Sequence, residues 1–324
     1  MKILICGGAG YIGSHMVRYL VAHGHDVVVF DNLSTGHREA VHAVPLVVGD
    51  LLDPKALREL FVGHRFDAAI HFCARSLVGE SFHEPYAYYE NNVFGTLNLL
   101  KTMRDAGVAK LVFSSTAAVF GNPLSTLIDE DHPTDPINPY GASKLMAERI
   151  LADAARAYGL RSVALRYFNA AGADPSGEIG EAHEPETHLI PNVLRAALGR
   201  GGALKVFGDD YATRDGTCLR DYIHVNDLAS AHMKAIEFMA TRDGAHCFNL
   251  GNGHGFTVLE VIEAARAVTG TDIAFECAPR RVGDPPMLVA SNAKAFAMLG
   301  WKPAVTDIRE IVETAWRWHR QPRF

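Results

Sequence analysis

Apolar residues in the first half of the chain come in short runs, each followed by a stretch where they recur three or four positions apart. Lys2-Ile3-Leu4-Ile5-Cys6 has the compact apolar character of a strand buried on both faces, and beyond it Met16, Val17, Leu20 and Val21 follow helical spacing. The alternation continues: residues 26–30, 45–48, 66–72, 110–114 and 161–166 read as strands, and residues 54–61, 85–106 and 139–158 as helices. Such an order predicts an α/β fold, a doubly wound parallel sheet with helices on both faces. Polar residues gather where those strands end, at Asp31, at Asp50, at His71-Phe72-Cys73-Ala74 and at Ser114-Ser115-Thr116. Sheets of this kind bind ligands at that edge. After Asn169 the alternation breaks, and residues 170–188 and 208–216 are loops rich in Gly, Pro and acidic side chains. Residues 219–250, with a strand at 246–250, are expected to return to the main sheet. The expected division is a Rossmann domain of residues 1–169 with that return segment, and a smaller C-terminal α/β substrate lobe of residues 170–218 and 251–324.

Composition narrows the classes. The chain has 324 residues, 48% of them hydrophobic, enough for a large core and a second lobe. A net charge of −6 with no long basic run gives no general attraction to nucleic acid, so anionic ligands must be held by local cations. Five scattered cysteines, Cys6, Cys73, Cys218, Cys247 and Cys277, predict reduced thiols and a cytoplasmic location. The N-terminus enters a strand at once, without the pattern of a signal peptide, and no apolar run reaches membrane-spanning length. Sixteen dispersed histidines include no His-Glu-x-x-His and no Cys/His cluster, so no metal site is expected.

Two motifs carry chemistry. Gly8-x-Gly10-x-x-Gly13, preceded by Gly7, sits between the first strand and first helix, the context of a dinucleotide fingerprint. Its glycines let backbone N–H groups approach a pyrophosphate at the helix N-terminus. Asp31, eighteen residues after Gly13 at the end of the next strand, suits a ribose and repels a 2′-phosphate, which favours NAD over NADP. The second motif is Tyr140-x-x-x-Lys144, following Pro139 at a helix start. Positions i and i+4 share a helix face, and an ammonium beside a phenol stabilises the phenolate. Together they form a base able to remove a proton from a substrate hydroxyl.

In their order and coverage the motifs resemble the extended short-chain dehydrogenase/reductases, most closely the UDP-galactose/UDP-glucose 4-epimerases. The resemblance spans nearly the whole chain: residues 7–15, Asp31-Asn32-Leu33, Gly49-Asp50, His71-Phe72, Asn91-Asn92-Val93, Ser114-Ser115-Thr116, Tyr140 to Lys144, Arg166-Tyr167-Phe168-Asn169, residues 220–225, Asn249-Leu250-Gly251 and Arg280-Arg281-x-Gly283-Asp284. It implies tightly held NAD, a UDP-sugar substrate and a homodimer built on the helices of residues 85–106 and 139–158. Tyr140 and Lys144 would be catalytic, with Thr116 bridging the sugar's O4 and the phenol. Gly7, Gly10, Tyr11, Ile12, Gly13, Asp31, Asn32, Asp50, Leu51, Phe72, Asn91, Ser114, Tyr140, Lys144 and Tyr167 would surround the cofactor. Thr116, Asn169, Leu189, Arg220, Arg281, Asp284 and Leu288 would hold the substrate, with Asn91 also within reach of its diphosphate. Lys205, Arg75 and His188 would lie toward solvent or behind the contact residues.

The implied reaction is 4-epimerisation of a UDP-hexose, UDP-galactose to UDP-glucose, through a transient 4-ketosugar that turns over while its nucleotide stays anchored. A sugar-nucleotide 4,6-dehydratase needs proton-transferring side chains after the Thr, and Ala117 and Ala118 cannot serve. UDP-glucuronate or UDP-pentose 4-epimerases use the same chemistry, and a non-catalytic NAD-binding protein could share the fold. Leu288 aligns with a position that is Tyr in some strict UDP-galactose enzymes. A smaller side chain there leaves room for an N-acetyl group, so UDP-N-acetylglucosamine 4-epimerisation is a main or second possibility.

Overall fold

The computed structural model describes residues 1–281 and 285–324. A seven-stranded, wholly parallel sheet organises the first part: β1 (Lys2–Cys6), β2 (Asp26–Asp31), β3 (Leu46–Val48), β4 (Ala68–His71), β5 (Lys110–Thr116), β6 (Arg161–Tyr167) and a late strand at Ala245–Leu250. The late strand pairs with β6 at the sheet edge, as the expected return of the chain requires. Strand alternation divides the core between two faces. Ile3, Ile5, Val27 and Val29 face one way, while Leu4, Cys6, Val28 and Phe30 face the other. Helix α1 (Tyr11–Ala22) covers the first face. On the opposite face lie α2 (Pro54–Gly63), α3 (Val78–His83), α4 (Pro85–Tyr88), α5 (Gly95–Asp105) and α6 (Pro139–Tyr158). The sheet order runs β3-β2-β1-β4, so the chain reverses direction between β1 and β4, where the strand ends open a crevice.

Caps explain where the helices begin. Asp53 accepts from the N–H groups of Lys55 (2.8 Å) and Ala56 (3.2 Å), with Pro54 at the first helical position of α2. Asn138 accepts from Gly141 N (2.8 Å) ahead of Pro139, and Gly159, in the left-handed region, ends α6. One element departs from the sequence reading. Residues 85–106 do not form one regular helix, because a π-helical turn at Tyr89–Phe94 separates α4 from α5. Apolar spacing cannot register a single widened turn. The turn is tied to its surroundings by bonds that Asn92 makes to the Arg75 backbone (2.9 and 3.0 Å) and to Ser143 on α6 (3.0 Å).

The second lobe uses shorter pieces: β7 (Asn169–Ala171), α7 (Leu189–Ala197), β8 (Leu204–Phe207), β9 (Leu219–Arg220) and β10 (Tyr222–His224). Helix α8 (Val225–Phe238) then packs beside α1 and leads into β11, the Ala245–Leu250 strand of the main sheet. The remainder is β12 (Phe256–Thr257), α9 (Val258–Thr269), β13 (Phe275–Ala278), β14 (Met287–Leu288), α10 (Ala293–Leu299) and α11 (Ile308–Arg320). Strands β12, β9 and β14 form a small sheet, β10 pairs with β7 and β13 with β8. Thus β9 and β10, from within the return segment, belong to small sheets outside the main one. A separate core, with Val193, Leu194, Val261, Ile262, Ile311 and Val312, packs α7, α9 and α11 together. No helix among the described residues is long and apolar enough to cross a membrane.

Candidate active site

The glycine turn is shaped by contacts that leave no room for side chains. Gly7 has φ +83°, and a Cβ on it would lie 2.8 Å from Cys73 N. A Cβ on Gly13 would collide with the carbonyl oxygen of Gly7. Gly10 differs, since a Cβ there would meet only the Gly7 oxygen, at 3.5 Å, so its side faces open space. Gly10 is also the N-cap of α1, without a side-chain cap and without an acidic residue in the first turn. The first N–H groups of α1, those of Tyr11, Ile12 and Gly13, therefore remain available to an anion. The Tyr11 hydroxyl is engaged elsewhere, donating to Gly172 O (2.6 Å) in the second lobe.

Asp31, 6% exposed, closes this end of the crevice. Its two oxygens accept from Ala9 N (2.9 Å) and Leu33 N (2.8 Å), which leaves each oxygen a lone pair for a diol. Burial raises its pKa, against the pull of those two bonds. Asn32 donates to Asp50 (2.8 Å), and Asp50 also accepts from Leu52 N (2.8 Å), so the β2 and β3 ends are tied together. Leu51 is buried and its carbonyl accepts from Asn98 (3.0 Å). Phe72 packs against His232, with ring centroids 4.8 Å apart. An uncapped helix N-terminus, an open glycine face and a buried carboxylate one strand away fit a dinucleotide.

At the ends of β5 and β6 stands the second group. Thr116, the last residue of β5, lies close enough to Tyr140 for its hydroxyl to act on the phenol. Burial raises the Tyr140 phenol above its ordinary value, and the Thr116 hydroxyl works in the other direction. Lys144, one helical turn later, is 2% exposed and donates to Ser114 O (2.7 Å), with its ammonium 4.7 Å from the Phe113 ring centroid. Burial lowers Lys144 to about 7, although Cys73 and Glu148 pull it upward. Ser114 and Tyr167 hydroxyls are bonded to each other beside it. Asn91, half-buried, donates to Asn92 (2.9 Å), which links the turn after β4 to α6.

The remaining residues expected to hold substrate belong to the second lobe or its border. Asn169 is bonded to the Asp221 carbonyl through its amide (3.0 Å), and Leu189 begins α7, half-buried. Arg220 donates to the carbonyls of Leu219 (3.0 Å) and Pro285 (2.9 Å). Leu288 stands beside Arg220 in the β9–β14 register and packs with Phe168 against Ala117, Val119, Phe120 and Leu145. The exposed Arg281 lies over the Phe207 ring at 4.0 Å. Asp284 lies outside the described residues. Arg75 pairs with Glu80 (2.9 Å), and Lys205 is exposed on β8.

Sequence reasoning missed three features. Glu148, one turn beyond Lys144, makes a two-pronged pair with Arg166 (2.9 and 2.5 Å) and accepts from Ser115 (2.5 Å). Its i+4 spacing from Lys144 was the available signal. Asp221, fully buried, is raised to about 7 by burial, despite accepting from the N–H groups of Asn252, Gly253 and Ala290. Finally, Glu181, His183, Glu186 and His188 converge, with ligating atoms all within 4.8 Å of one another. His188 touches Glu181, which lifts it to about 9 against the effect of burial.

Residues 3–251 match the model of the NAD dependent epimerase/dehydratase family. The chain is 54% identical over 321 residues to a UDP-glucose 4-epimerase of Halalkalibacterium halodurans, covering 99% of this chain and 96% of the other. Its fold superposes on a UDP-glucose 4-epimerase from Brucella ovis in complex with NAD, with TM-score 0.95, 48% identity and 97% of each chain covered. It also matches a UDP-glucose 4-epimerase from Bifidobacterium longum in complex with NAD+ and UDP, with TM-score 0.94, 38% identity and 99% of each chain covered.

Proposed function

The chain belongs to the NAD dependent epimerase/dehydratase family, and from that premise we propose that it interconverts UDP-galactose and UDP-glucose by inverting carbon 4. It is an isomerase dependent on NAD. The observation that carries the reading is the Thr116–Tyr140–Lys144 group, set beside the crevice that the glycine turn and Asp31 close. The α1 N-terminus, Asp31, Asn32 and Asp50 would hold the dinucleotide. Bound there, NAD supplies the acceptor and then the donor of the two electrons by which carbon 4 passes through a 4-ketosugar.

The residues of the chain manage the proton and the anchoring. Tyr140 takes the O4 proton and later returns it. Thr116, close to the phenol, would relay between it and the sugar oxygen. Burial alone would keep the phenol protonated. A protonated Lys144, on the same helix face, would favour the phenolate that does the work. Arg220, Arg281 and Asn169 would anchor the nucleotide while few bonds restrain the hexose. Binding energy from the unreactive diphosphate then retains an intermediate that must rotate. Asp284 remains assigned to the uridine ribose by resemblance alone.

Two finer readings accompany this one. Leu288 lies among small and apolar neighbours, so the pocket would admit UDP-N-acetylglucosamine more slowly. A homodimer is supported by the exposed Phe94 and Met146, which share a shallow apolar hollow of about 270 Å³ with Tyr89, Val93 and Leu97. Five free cysteines agree with a cytoplasmic setting. Incubation with UDP-galactose, UDP-N-acetylglucosamine and UDP-glucuronate, followed by product separation, tests the assignment. Rapid formation of UDP-glucose from the first is expected. Turnover confined to the uronate or the N-acetyl sugar would overturn it.

A further inference from the structure

The loop that leads into α7 contains the sequence Glu181-x-His183-x-x-Glu186-x-His188, and its folding turns all four side chains toward one point. Glu181 is 4% exposed, and its Oε1 lies 3.1 Å from His183 Nδ1 and in contact with His188 Nδ1. Glu186 is held by its Oε1, which accepts from the N–H groups of Thr187 and His188 (2.8 Å each). Its Oε2 is buried without any hydrogen-bond partner and faces His183 Nδ1 at 3.9 Å, on a side chain only 1% exposed. A buried carboxylate oxygen left unpaired beside a second buried carboxylate is costly. A dication at their common point removes that cost for both.

We propose that Glu181, His183, Glu186 and His188 form a structural site for a divalent transition ion of the zinc type. Two imidazole nitrogens and two carboxylate oxygens suit zinc, whereas calcium and magnesium prefer oxygen alone. Tetrahedral ligands on bonds of about 2.0–2.1 Å stand roughly 3.3 Å apart, so an ion would open the Glu181–His188 contact and draw the wider pairs, up to 4.8 Å apart, inward. All four positions are supplied by protein, which marks a closed, structural site rather than a catalytic one. Its surroundings show what the ion would fasten. Trp318 on α11 donates to Glu181 O (2.9 Å), His37 is bonded to Ala182 O (2.9 Å), and the ring of Tyr11 meets that of His183 edge to face. The loop thereby joins the cofactor turn to α7 and α11.

The test uses the NAD-loaded full chain made without a histidine tag. Elemental analysis after dialysis should find about one zinc per chain, and chelation should lower the unfolding temperature in a way that added zinc restores. Cobalt loading should give the intense visible absorption of a tetrahedral N2O2 centre. Glu186→Gln and His183→Gln should each weaken zinc retention by at least about tenfold, with the circular dichroism of the folded chain preserved. If a variant does not fold, the cobalt spectrum and the zinc-dependent melting of the parent protein decide the matter. Absence of retained zinc, together with unchanged melting on zinc addition, would overturn the proposal and leave a hydrogen-bonded His/Glu network. Equal retention by the parent and both folded variants would overturn it as well.

Discussion

On the sheet side of the crevice, strands of six and seven residues carry Asp31, Ser114, Thr116 and Tyr167 to one edge. In the second lobe, Arg220 and Leu288 are brought together by strands of two residues each. One ion pair from each side differs in the same sense. Arg166 and Glu148, the latter one helical turn beyond Lys144, are 7% and 9% exposed, whereas Arg214 and Glu260 on the second lobe are 48% and 38% exposed. On the proposed reading, the better buried side would hold chemistry that tolerates little displacement. The more exposed side would hold a sugar that has to turn.

The sharpest way to break this contrast is Tyr140→Phe. Turnover should fall by about 10²–10⁴, with NAD still bound and the fold intact, because only the proton acceptor is lost. Near-parental turnover would remove the catalytic role from the sheet side. Next comes Arg166→Met, which leaves Glu148 buried without its partner and should destabilise the protein by about 3–5 kcal/mol in urea unfolding. A much smaller loss would show that burial does not distinguish the two pairs.

Leu288→Tyr addresses the looser wall. Overpacking there should suppress N-acetylhexosamine turnover by roughly tenfold or more while sparing the plain hexoses, since such clashes cost about 1–3 kcal/mol. Equal effects on both sugars, seen in competition assays, would sink the volume argument. Lys144→Met bears on proton linkage in protein freed of its dinucleotide. Lys144 sits at about 7 when folded and near 10.5 when unfolded, so between those values the unfolded chain carries a proton that the folded chain lacks. Stability of the parent should rise with pH across that window relative to the variant, and parallel stability curves would contradict the lowered Lys144 value. The smallest effect is expected from Arg214→Ala, below about 1 kcal/mol by the same urea measurement, as for other exposed pairs.

The main sheet was legible because strands buried on both faces must be continuously apolar and their ends must turn polar. Ile3 to Cys6, Val27 to Phe30 and the glycine turn state this locally. The second lobe was not, because β9 and β14 are sequence-distant pairs too short to show a period. The same limit hid Asp221, whose three N–H donors come from residues 252, 253 and 290. Phenol and ammonium were readable as a pair four positions apart. Their neighbours, Thr116 beside the phenol and the Ser114 carbonyl that accepts from Lys144, come from a strand that only the fold brings near.

The π-helical turn at Tyr89–Phe94 gives the helix two independent phases. Such a turn contains about one residue more than the α-helical turn it replaces, which rotates the downstream residues by roughly 100°. Upstream and within the turn, Tyr88 and Asn92 are aligned on the loop after β4. Downstream, Leu99 and Met103 are aligned on the sheet core. Deleting one residue between them would yield a more regular helix that satisfies either set and misaims the other. The turn behaves as an inserted letter that keeps two reading frames in register, and shortening it is an error that no neighbouring substitution can re-index.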